Sequence, residues 1–128
     1  MIVVDTSALI CIVEDEQDAA VCKHVLSAAD TIAMSAATLL ETLIVASSRG
    51  RTPEANALVD ALRVEIHPVD AGLAREAFAA HLRFGRGNHP AKLNYGDCFS
   101  YALARRLGCP LLYVGHDFRR TDVTAAHA

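Results

Sequence analysis

Four acidic residues of this chain stand where a carboxylate needs a partner: Asp5, Glu41, Asp97 and Asp117. Asp5 and Asp117 follow short apolar runs, and Asp97 lies in the first turn of a predicted helix beside apolar and aromatic neighbours. Glu41 interrupts a segment, residues 31–48, that otherwise carries no charge. Because an unpaired buried charge is costly, we predict that the fold gathers the four carboxylates into one metal-binding cluster.

Asp97 also has a simpler interpretation. With Asn94 as the N-cap, Asp97 is the third residue of the helix, close to a capping-box arrangement. An acid in a first turn is also favoured by the helix dipole. For Asp97 alone this interpretation remains open, and it is the other three acids that favour a cluster.

The predicted cluster indicates a particular chemistry. Carboxylate oxygens suit Mg²⁺ or Mn²⁺ better than zinc, and a magnesium ion held by a few carboxylates keeps waters and binds substrate phosphates. The pattern therefore predicts metal-assisted phosphodiester hydrolysis, in which an activated water attacks phosphorus in line. Such a site needs positive groups near the phosphate. The candidates, each of which could equally be ordinary surface charge, are Arg86, His89, Lys92, Arg119 and Arg120.

The elements that must position these residues are strands alternating with helices. Apolar runs predict strands at residues 1–4, 31–34, 64–69 and 111–114, and residues 121–123 could add a short edge strand. This alternation is typical of an α/β sandwich around a mostly parallel sheet, here of four to five strands flanked by helices. Ligands of such sheets bind at the carboxyl ends of the strands, near a switch in strand order. If the first and last parallel strands are neighbours, Asp5 and Asp117 lie at the same edge.

Two predicted helices supply the other two acids. The helix over residues 36–48 has Glu41 beside an apolar stripe, interpreted as a buried face, made of Ala37, Leu40, Ile44 and Ser47. The helix after Asn94 ends at Gly108 and repeats apolar residues at i, i+4 and i+8. These are Phe99, Leu103 and Leu107.

Composition limits the function classes. A chain of 128 residues with a formal charge of −3 is predicted to be one domain, residues 1–128, and lacks the basic balance of a high-affinity DNA-binding domain. Its cysteines show no C-x-x-C pair and no zinc spacing, so buried free thiols and a reducing cytoplasm are expected. They are Cys11, Cys22, Cys98 and Cys109. No membrane span or signal peptide is predicted.

Three motifs and one isolated acid occur in a fixed order: residues 3–9 (VVDTSAL), Glu41, residues 94–104 (NYGDCFSYALA) and residues 111–123 (LLYVGHDFRRTDV). Their order and spacing, over about residues 1–123, resemble PIN domains. More narrowly, they resemble the VapC toxins of bacterial VapBC toxin–antitoxin pairs. The opening motif alone is moderately specific, whereas the combination is highly specific.

The resemblance implies a three-layer PIN-domain sandwich and a Mg²⁺- or Mn²⁺-dependent ribonuclease that blocks translation. It matches Asp5, Glu41 and Asp97 to the acidic metal-site residues and Asp117 to a fourth, more variable acidic position. Ser7 matches a hydroxyl residue that orders the metal water or a ligand carboxylate. For Asp122, a capping or structural role is expected.

The resemblance also implies partners. These are an RNA substrate, a second copy of the chain in a homodimer, and a VapB-like antitoxin whose C-terminal segment lies in a groove and often presents a basic side chain to the acids. Residues 10–13 and 44–46 could line that groove, although a core position is expected for most of them. The loop of residues 85–92 is where we expect the choice of RNA to be made, because loops on a rigid scaffold carry specificity.

Two other function classes compete. An aspartate-based phosphatase or phosphotransfer domain would use Asp5 as nucleophile, but such enzymes of the haloacid-dehalogenase type want a second acid two residues on, where this chain has Ser7. A non-catalytic interaction module would use its acids only as helix caps. A dinucleotide-binding fold is excluded because no G-x-G-x-x-G follows the first strand.

Overall fold

The computed structural model describes residues 1–127, and within them strands alternate with helices as predicted. In chain order the elements are β1 (Ile2–Val4), α1 (Thr6–Val13), α2 (Ala19–Ala28), β2 (Ile32–Ser35), α3 (Ala36–Ser48), α4 (Thr52–Ala61), β3 (Glu65–His67), α5 (Ala71–Phe84), α6 (Tyr95–Leu107) and β4 (Leu111–Leu112). A short 3-10 helix, Asp117–Arg120, follows β4. The last residue of the predicted domain, Ala128, lies outside the described residues.

The four strands form one parallel sheet in the order β3-β2-β1-β4. Val3 pairs with Ala33 on one side and with Leu111 on the other, in parallel register. The chain therefore builds β1, β2 and β3 in one direction and then returns to place β4 on the far side of β1. This reversal is the switch in strand order where α/β sheets bind their ligands. The expected neighbourhood of the first and last parallel strands is confirmed.

Both faces of the sheet are covered, which produces three layers. Val3 and Leu111 belong to a buried cluster with residues of α5 and α6. Val4 and Leu112, the next residues along the same strands, belong to a second cluster with residues of α1, α2 and α4. Because successive strand side chains point to opposite faces, unbroken apolar runs suit a sheet buried on both sides. The predicted three-layer α/β sandwich is confirmed.

The interpretation of the apolar stripe on α3 as a buried face is wrong. Leu40 is 59% exposed and Ile44 is 60% exposed. The buried residues of α3 are instead Thr38, Thr42 and Ala46. This inner face is small and partly polar because its hydroxyls bond within the protein, as Thr42 Oγ1 does to the Thr38 carbonyl over 2.8 Å.

The edge strand suggested at residues 121–123 does not form. The Thr121 hydroxyl donates to the Phe118 carbonyl over 2.7 Å, and the Val123 amide donates to that hydroxyl over 3.2 Å. A threonine side chain that bonds locally in this way competes with strand pairing. A single parallel bridge between Leu111 and Ala125 takes its place at this edge of the sheet.

The four cysteines are free thiols, three of them buried and Cys109 half-buried, as predicted. Burial raises the pKa of Cys22 and of Cys98 to about 11, so both remain protonated and poorly nucleophilic at neutral pH. Among residues 1–127, no helix is long and apolar enough to cross a membrane.

Candidate metal centre

Asp5 lies at the carboxyl end of β1 and is the N-cap of α1. One carboxylate oxygen, Oδ2, accepts hydrogen bonds from the Ser7 amide over 3.0 Å and from the Ser7 hydroxyl over 2.7 Å. The other, Oδ1, accepts from the Ser100 hydroxyl on α6 over 2.5 Å. Only 4% of Asp5 is exposed. The carboxylate is therefore held in one orientation by two serines from two different elements.

Asp97 lies in the first turn of α6 and takes part in a capping box. Asn94 Oδ1 accepts from the Asp97 amide over 2.9 Å, and Asp97 Oδ2 accepts from the Asn94 amide over 3.0 Å. Burial raises the pKa of Asp97 to about 7, against the Asn94 hydrogen bond, and the negative charges of Asp5, Asp117 and Glu41 raise it further. The capping interpretation thus describes a real contact, and the same carboxylate is also close enough to the other three acids for their charges to affect its pKa.

Glu41 reaches this group from the second turn of α3. Its Oε1 accepts a hydrogen bond from the Thr6 hydroxyl over 2.7 Å. Burial raises the pKa of Glu41, the Thr6 hydrogen bond lowers it, and the charge of Asp5 raises it. The carboxylate also lies against the backbone of Gly96, the residue that precedes Asp97.

Asp117 is the first residue of the 3-10 helix after β4, and it is exposed. Its charge is among those that raise the pKa of Asp97. It also lines a cavity of about 530 Å³ whose other charged or titratable lining residues are Lys92, His116 and Arg120. The fold therefore brings all four predicted acids to the carboxyl edge of the sheet, with Asp117 on the open side.

A group of hydroxyl side chains around these acids was not predicted from the sequence. Thr42 Oγ1 donates to Thr6 Oγ1 over 3.1 Å, and Thr38 Oγ1 lies 3.3 Å from Ser100 Oγ. Thr38, Thr42 and Ser100 are at most 1% exposed. One signal was present: Ser100 follows Asp97 by three residues, a spacing that puts both on one side of a helix.

The family model described as "PIN domain" matches residues 2–123. The chain belongs to the PIN domain family. Its sequence is 46% identical over 128 residues to a ribonuclease VapC of Mycolicibacterium smegmatis, covering 98% of this chain and 99% of that protein. It is 47% identical over 129 residues to ribonuclease VapC28 of Mycobacterium tuberculosis, covering 97% of this chain and 96% of that protein. The VapC-type PIN domain that the motifs resemble is thereby confirmed.

Solved structures show the same fold at lower identity. The crystal structure of Mycobacterium tuberculosis VapC20, a Sarcin-Ricin loop cleaving toxin, superposes with a TM-score of 0.82 at 19% identity and covers 100% of both chains. A toxin–antitoxin complex from Klebsiella pneumoniae gives a TM-score of 0.72 at 18% identity, covering 95% of this chain and 93% of that one. At these identities the likeness supports the architecture of the PIN domain alone.

The donors that this PIN domain offers are suited to a hard divalent cation. The four acids and their neighbouring hydroxyls present only oxygen, which Mg²⁺ and Mn²⁺ prefer. Among residues 1–127, no three Asp, Glu, His or Cys side chains form a ready-made ligand set for one ion. Mg²⁺ usually keeps several waters in addition to its carboxylate ligands.

The basic residues predicted to meet a phosphate fall into two groups. Lys92 and Arg120 line the cavity beside Asp117, and His116, which the sequence analysis missed, lies with them. Arg86 instead lines a separate, mostly apolar cavity of about 590 Å³ between α5 and α6.

His89 has a structural role in the loop of the PIN domain that joins α5 to α6. Its ring packs edge-on against Phe84 with 5.0 Å between centroids, and its Nδ1 accepts from the Ala91 amide over 3.0 Å. Arg119 is exposed in the 3-10 helix that Asp117 begins, and its phosphate role stays a prediction.

Asp122 lies apart from the acidic cluster, in a group that ties the C-terminal segment to the helices. It accepts a short hydrogen bond from the Tyr101 hydroxyl and another from Arg83 over 3.0 Å. The Tyr101 hydrogen bond lowers the pKa of Asp122, and the charges of Arg105 and Arg83 lower it further. The contacts of this carboxylate are those of a structural residue.

Proposed function

We propose that this chain hydrolyses RNA phosphodiester bonds with a Mg²⁺ or Mn²⁺ ion held by Asp5, Glu41 and Asp97, with Asp117 as a fourth acid. VapC-family membership supports its assignment as the ribonuclease toxin of a toxin–antitoxin pair. The observation that carries the metal site is the convergence of four carboxylates at the switch point of the sheet, where the other three each raise the pKa of Asp97.

The charge balance explains why a cation belongs here. A pKa of about 7 means that Asp97 retains its proton over much of the pH range in which an isolated aspartate is ionised. The like charges of its neighbours and its own burial disfavour the anion. With a divalent cation bound among these carboxylates, Asp97 would favour its ionised form, because the like charges around it would be neutralised.

The residues of the chain then have separable roles. Ser7 and Ser100 hold both oxygens of Asp5, the capping box orients Asp97, and Thr6 orients Glu41. When bound, the ion supplies activation of a water for in-line attack at phosphorus and stabilises charge on the leaving oxygen. Hydrogen bonds that fix ligand carboxylates in advance reduce the rearrangement needed at that step.

RNA phosphates are proposed to contact the cavity beside Asp117. Lys92 has a left-handed backbone conformation, with φ of 54°, which is uncommon for residues other than glycine, asparagine or aspartate. A hydrogen bond from its amide to the His89 carbonyl, 3.0 Å long, belongs to the bonding that orders this loop. Lys92 and Arg120 give the cavity two positive charges next to Asp117, and the His116 ring also lines it. Such charges suit a phosphate adjacent to the one being cleaved.

A homodimer is proposed on the basis of exposed apolar side chains. Leu40 and Ile44 on α3, and Phe78 and Leu82 on α5, are each 58–60% exposed, and Tyr95 is 83% exposed. Of these side chains, Phe78 and Tyr95 line one cavity, and exposed large apolar side chains that lie together commonly mark an interface. A charged substitution such as Ile44→Lys should shift the sedimentation coefficient from dimer to monomer while leaving the circular dichroism spectrum unchanged.

The remaining proposed partner is a VapB-like antitoxin, and the structure limits which residues can line its groove. Of the segments suggested for it, Ile10, Cys11 and Ala46 are buried, as expected for core residues, and Ile12, Val13 and Val45 are half-buried. Ile44 is 60% exposed, so the core position expected for it is wrong. A basic antitoxin side chain would find the acidic cluster complementary, and this would favour encounter.

Cleavage of RNA by the free toxin would inhibit translation and growth. This activity, together with the free thiols, supports a cytoplasmic location. We also propose that residues 1–128 act as a single domain.

Neither competing function class fits the site as well. An aspartate-based phosphatase needs a second acid two residues after its nucleophile, but here Ser7 occupies that position and its hydroxyl donates to Asp5 over 2.7 Å. An interaction module accounts for Asp97 as a capping residue but gives no reason for three further acids beside it.

Growth arrest provides the functional test. Induced expression of the chain without antitoxin should stop growth of a bacterial host, and Asp5→Ala or Asp97→Ala should relieve the arrest at equal protein levels. Asp60→Ala, on the exposed side of α4, is the matched control and should remain toxic. Arrest that survives both site substitutions would disprove the proposed role of the acids.

A further inference from the structure

Gly96 occupies a helical position that does not itself require glycine. It is the second residue of α6, and it is absent from the glycines with positive φ, namely Gly50, Gly87, Gly108 and Gly115. Glycine inside a helix costs roughly 0.5–1 kcal/mol relative to alanine. The backbone conformation at position 96 would suit alanine, so the presence of glycine there needs another explanation.

The explanation lies in the contact between Gly96 and Glu41. A Cβ atom at position 96 would lie 2.1 Å from Glu41 Oε2, 2.6 Å from Cδ and 2.8 Å from Oε1. Gly72, the second residue of α5, is the matched and less crowded case: a Cβ there would lie 3.1 Å from the tip of Arg106 and 3.3 Å from Asp70 Oδ1. The Glu41 carboxylate therefore occupies the space that a side chain at position 96 would fill.

We infer that Gly96 is a positioning residue, whose missing side chain lets the Glu41 carboxylate of α3 reach the first turn of α6 beside Asp97. Thr6 bonds Glu41 Oε1 over 2.7 Å, so the carboxylate is held between a hydroxyl of α1 and the bare backbone of α6. The role rests on the proposed function, since it is for metal binding that the position of Glu41 matters. The motif residue before Asp97 thus acts on another acid 55 positions away in the sequence.

The substitution Gly96→Ala should displace the Glu41 carboxylate without destabilising the fold. The crowded atoms are the end of a flexible side chain, so Glu41 swings away and α6 stays in place. Thr6 Oγ1 also lies 3.3 Å from the Thr38 carbonyl, so the hydroxyl keeps an acceptor after Glu41 leaves. Alanine meanwhile favours the helix. Stability should be maintained or increase, whereas Mn²⁺ affinity should fall about 10- to 100-fold, the usual result when a ligand loses the group that orients it.

The experiment uses the full chain in four variants: Gly96→Ala, Glu41→Ala, the double substitution, and Gly72→Ala as the control. Crystal structures of the metal-free wild type and Gly96→Ala give the position of the Glu41 carboxylate. Calorimetric titration with Mn²⁺ gives affinity, and thermal denaturation with chelator gives stability. If Gly96 acts through Glu41, the double variant should bind Mn²⁺ no more weakly than Glu41→Ala alone, and Gly72→Ala should bind like the wild type.

The outcomes distinguish this inference from the proposed function. A Gly96→Ala crystal in which Glu41 still bonds Thr6 would overturn the inference, whatever the metal data show. So would a further loss of Mn²⁺ affinity when Gly96→Ala is added to Glu41→Ala. A wild-type chain that binds no Mn²⁺ would instead refute the proposed metal site, and the crystal structures would still decide whether Gly96 sets the position of Glu41.

Discussion

Replacement of Asp97 by asparagine should stabilise the metal-free protein at alkaline pH. The side chain keeps its size, and its amide oxygen can still accept the Asn94 hydrogen bond of the capping box. What disappears is an ionisable group that is 8% exposed and lies among three other acids. The substitution therefore isolates the electrostatic contribution of Asp97 from its contribution to the helix cap.

The sign and size follow from the pKa of Asp97. The folded protein retains the proton up to a pH of about 7, whereas an ordinary aspartate loses it near 3.8. Between these values the folded state binds more protons than the unfolded state, so the free energy of unfolding falls as the pH rises. The stabilisation by the proton is complete below about 3.8 and lost above about 7. The difference between these two pKa values corresponds to a change of at most about 4 kcal/mol in the free energy of unfolding.

Urea denaturation with chelator at pH 4 and pH 8 measures this effect. Asp97→Asn should match the wild type at pH 4 and exceed it at pH 8, by up to about 4 kcal/mol. Asp70→Asn is the control, because Asp70 also begins a helix but its pKa is lowered, first by the Leu73 amide and also by Arg106. Its carboxylate stabilises the fold above the unfolded pKa, so its removal should cost stability at pH 8.

Addition of Mn²⁺ should reverse the ranking. A ligand that binds only the folded state raises stability by an amount that grows with its concentration, so the wild type should gain and Asp97→Asn should gain little. Equal stability of the two proteins at pH 8 without metal would refute the electrostatic reasoning. Equal stabilisation of both by Mn²⁺ would refute the role of Asp97 as a ligand.

Three further predictions concern single contacts. Ser100→Ala removes a hydrogen bond to Asp5 and should weaken Mn²⁺ binding by calorimetry about 10-fold; an unchanged affinity would contradict this role. Lys92→Gly relieves a left-handed backbone, so it should raise the free energy of unfolding by about 1 kcal/mol. It also removes one proposed phosphate contact, so the slope of log K for RNA binding against log salt should fall in magnitude by about 0.7. Tyr101→Phe loses the bond to Asp122 and should cost about 1.5 kcal/mol without changing cleavage, whereas reduced cleavage would place this pair in the site.

The sheet was predictable because its signals are local and redundant. Continuous apolar runs predicted strands covered on both faces, and Val3 and Val4 do enter opposite cores. Asp5 directly follows such a run and Asp117 follows another closely, so the parallel topology placed both at one edge. For these elements, sequence pattern and tertiary packing favour the same structure.

The exposed face of α3 was not predictable from periodicity. The helical repeat finds an apolar stripe at Leu40 and Ile44, but it does not say whether the stripe meets the core or a partner. The true inner face uses Thr38 and Thr42, whose hydroxyls also contact groups far along the chain, Ser100 and Thr6. A polar residue is accepted in a core when its partner is present, and that partner is a property of the fold.

The supporting residues of the site were missed for a related reason. Ser100 bonds Asp5 across 95 positions of sequence, and Gly96 is explained only by the approach of Glu41. Composition and spacing identify groups that could do chemistry, such as carboxylates. They do not identify residues whose contribution is to orient those groups or to leave room for them.

The central claim is that four acids at one sheet edge form the metal site of a ribonuclease, and cleavage of RNA by the purified chain tests it most directly. Total RNA should be incubated with the wild type and with Asp97→Asn, each in Mg²⁺ or Mn²⁺ and in chelator. Discrete cleavage products are expected only for the wild type with metal. Cleavage that persists in chelator, or that Asp97→Asn retains in full, would contradict it.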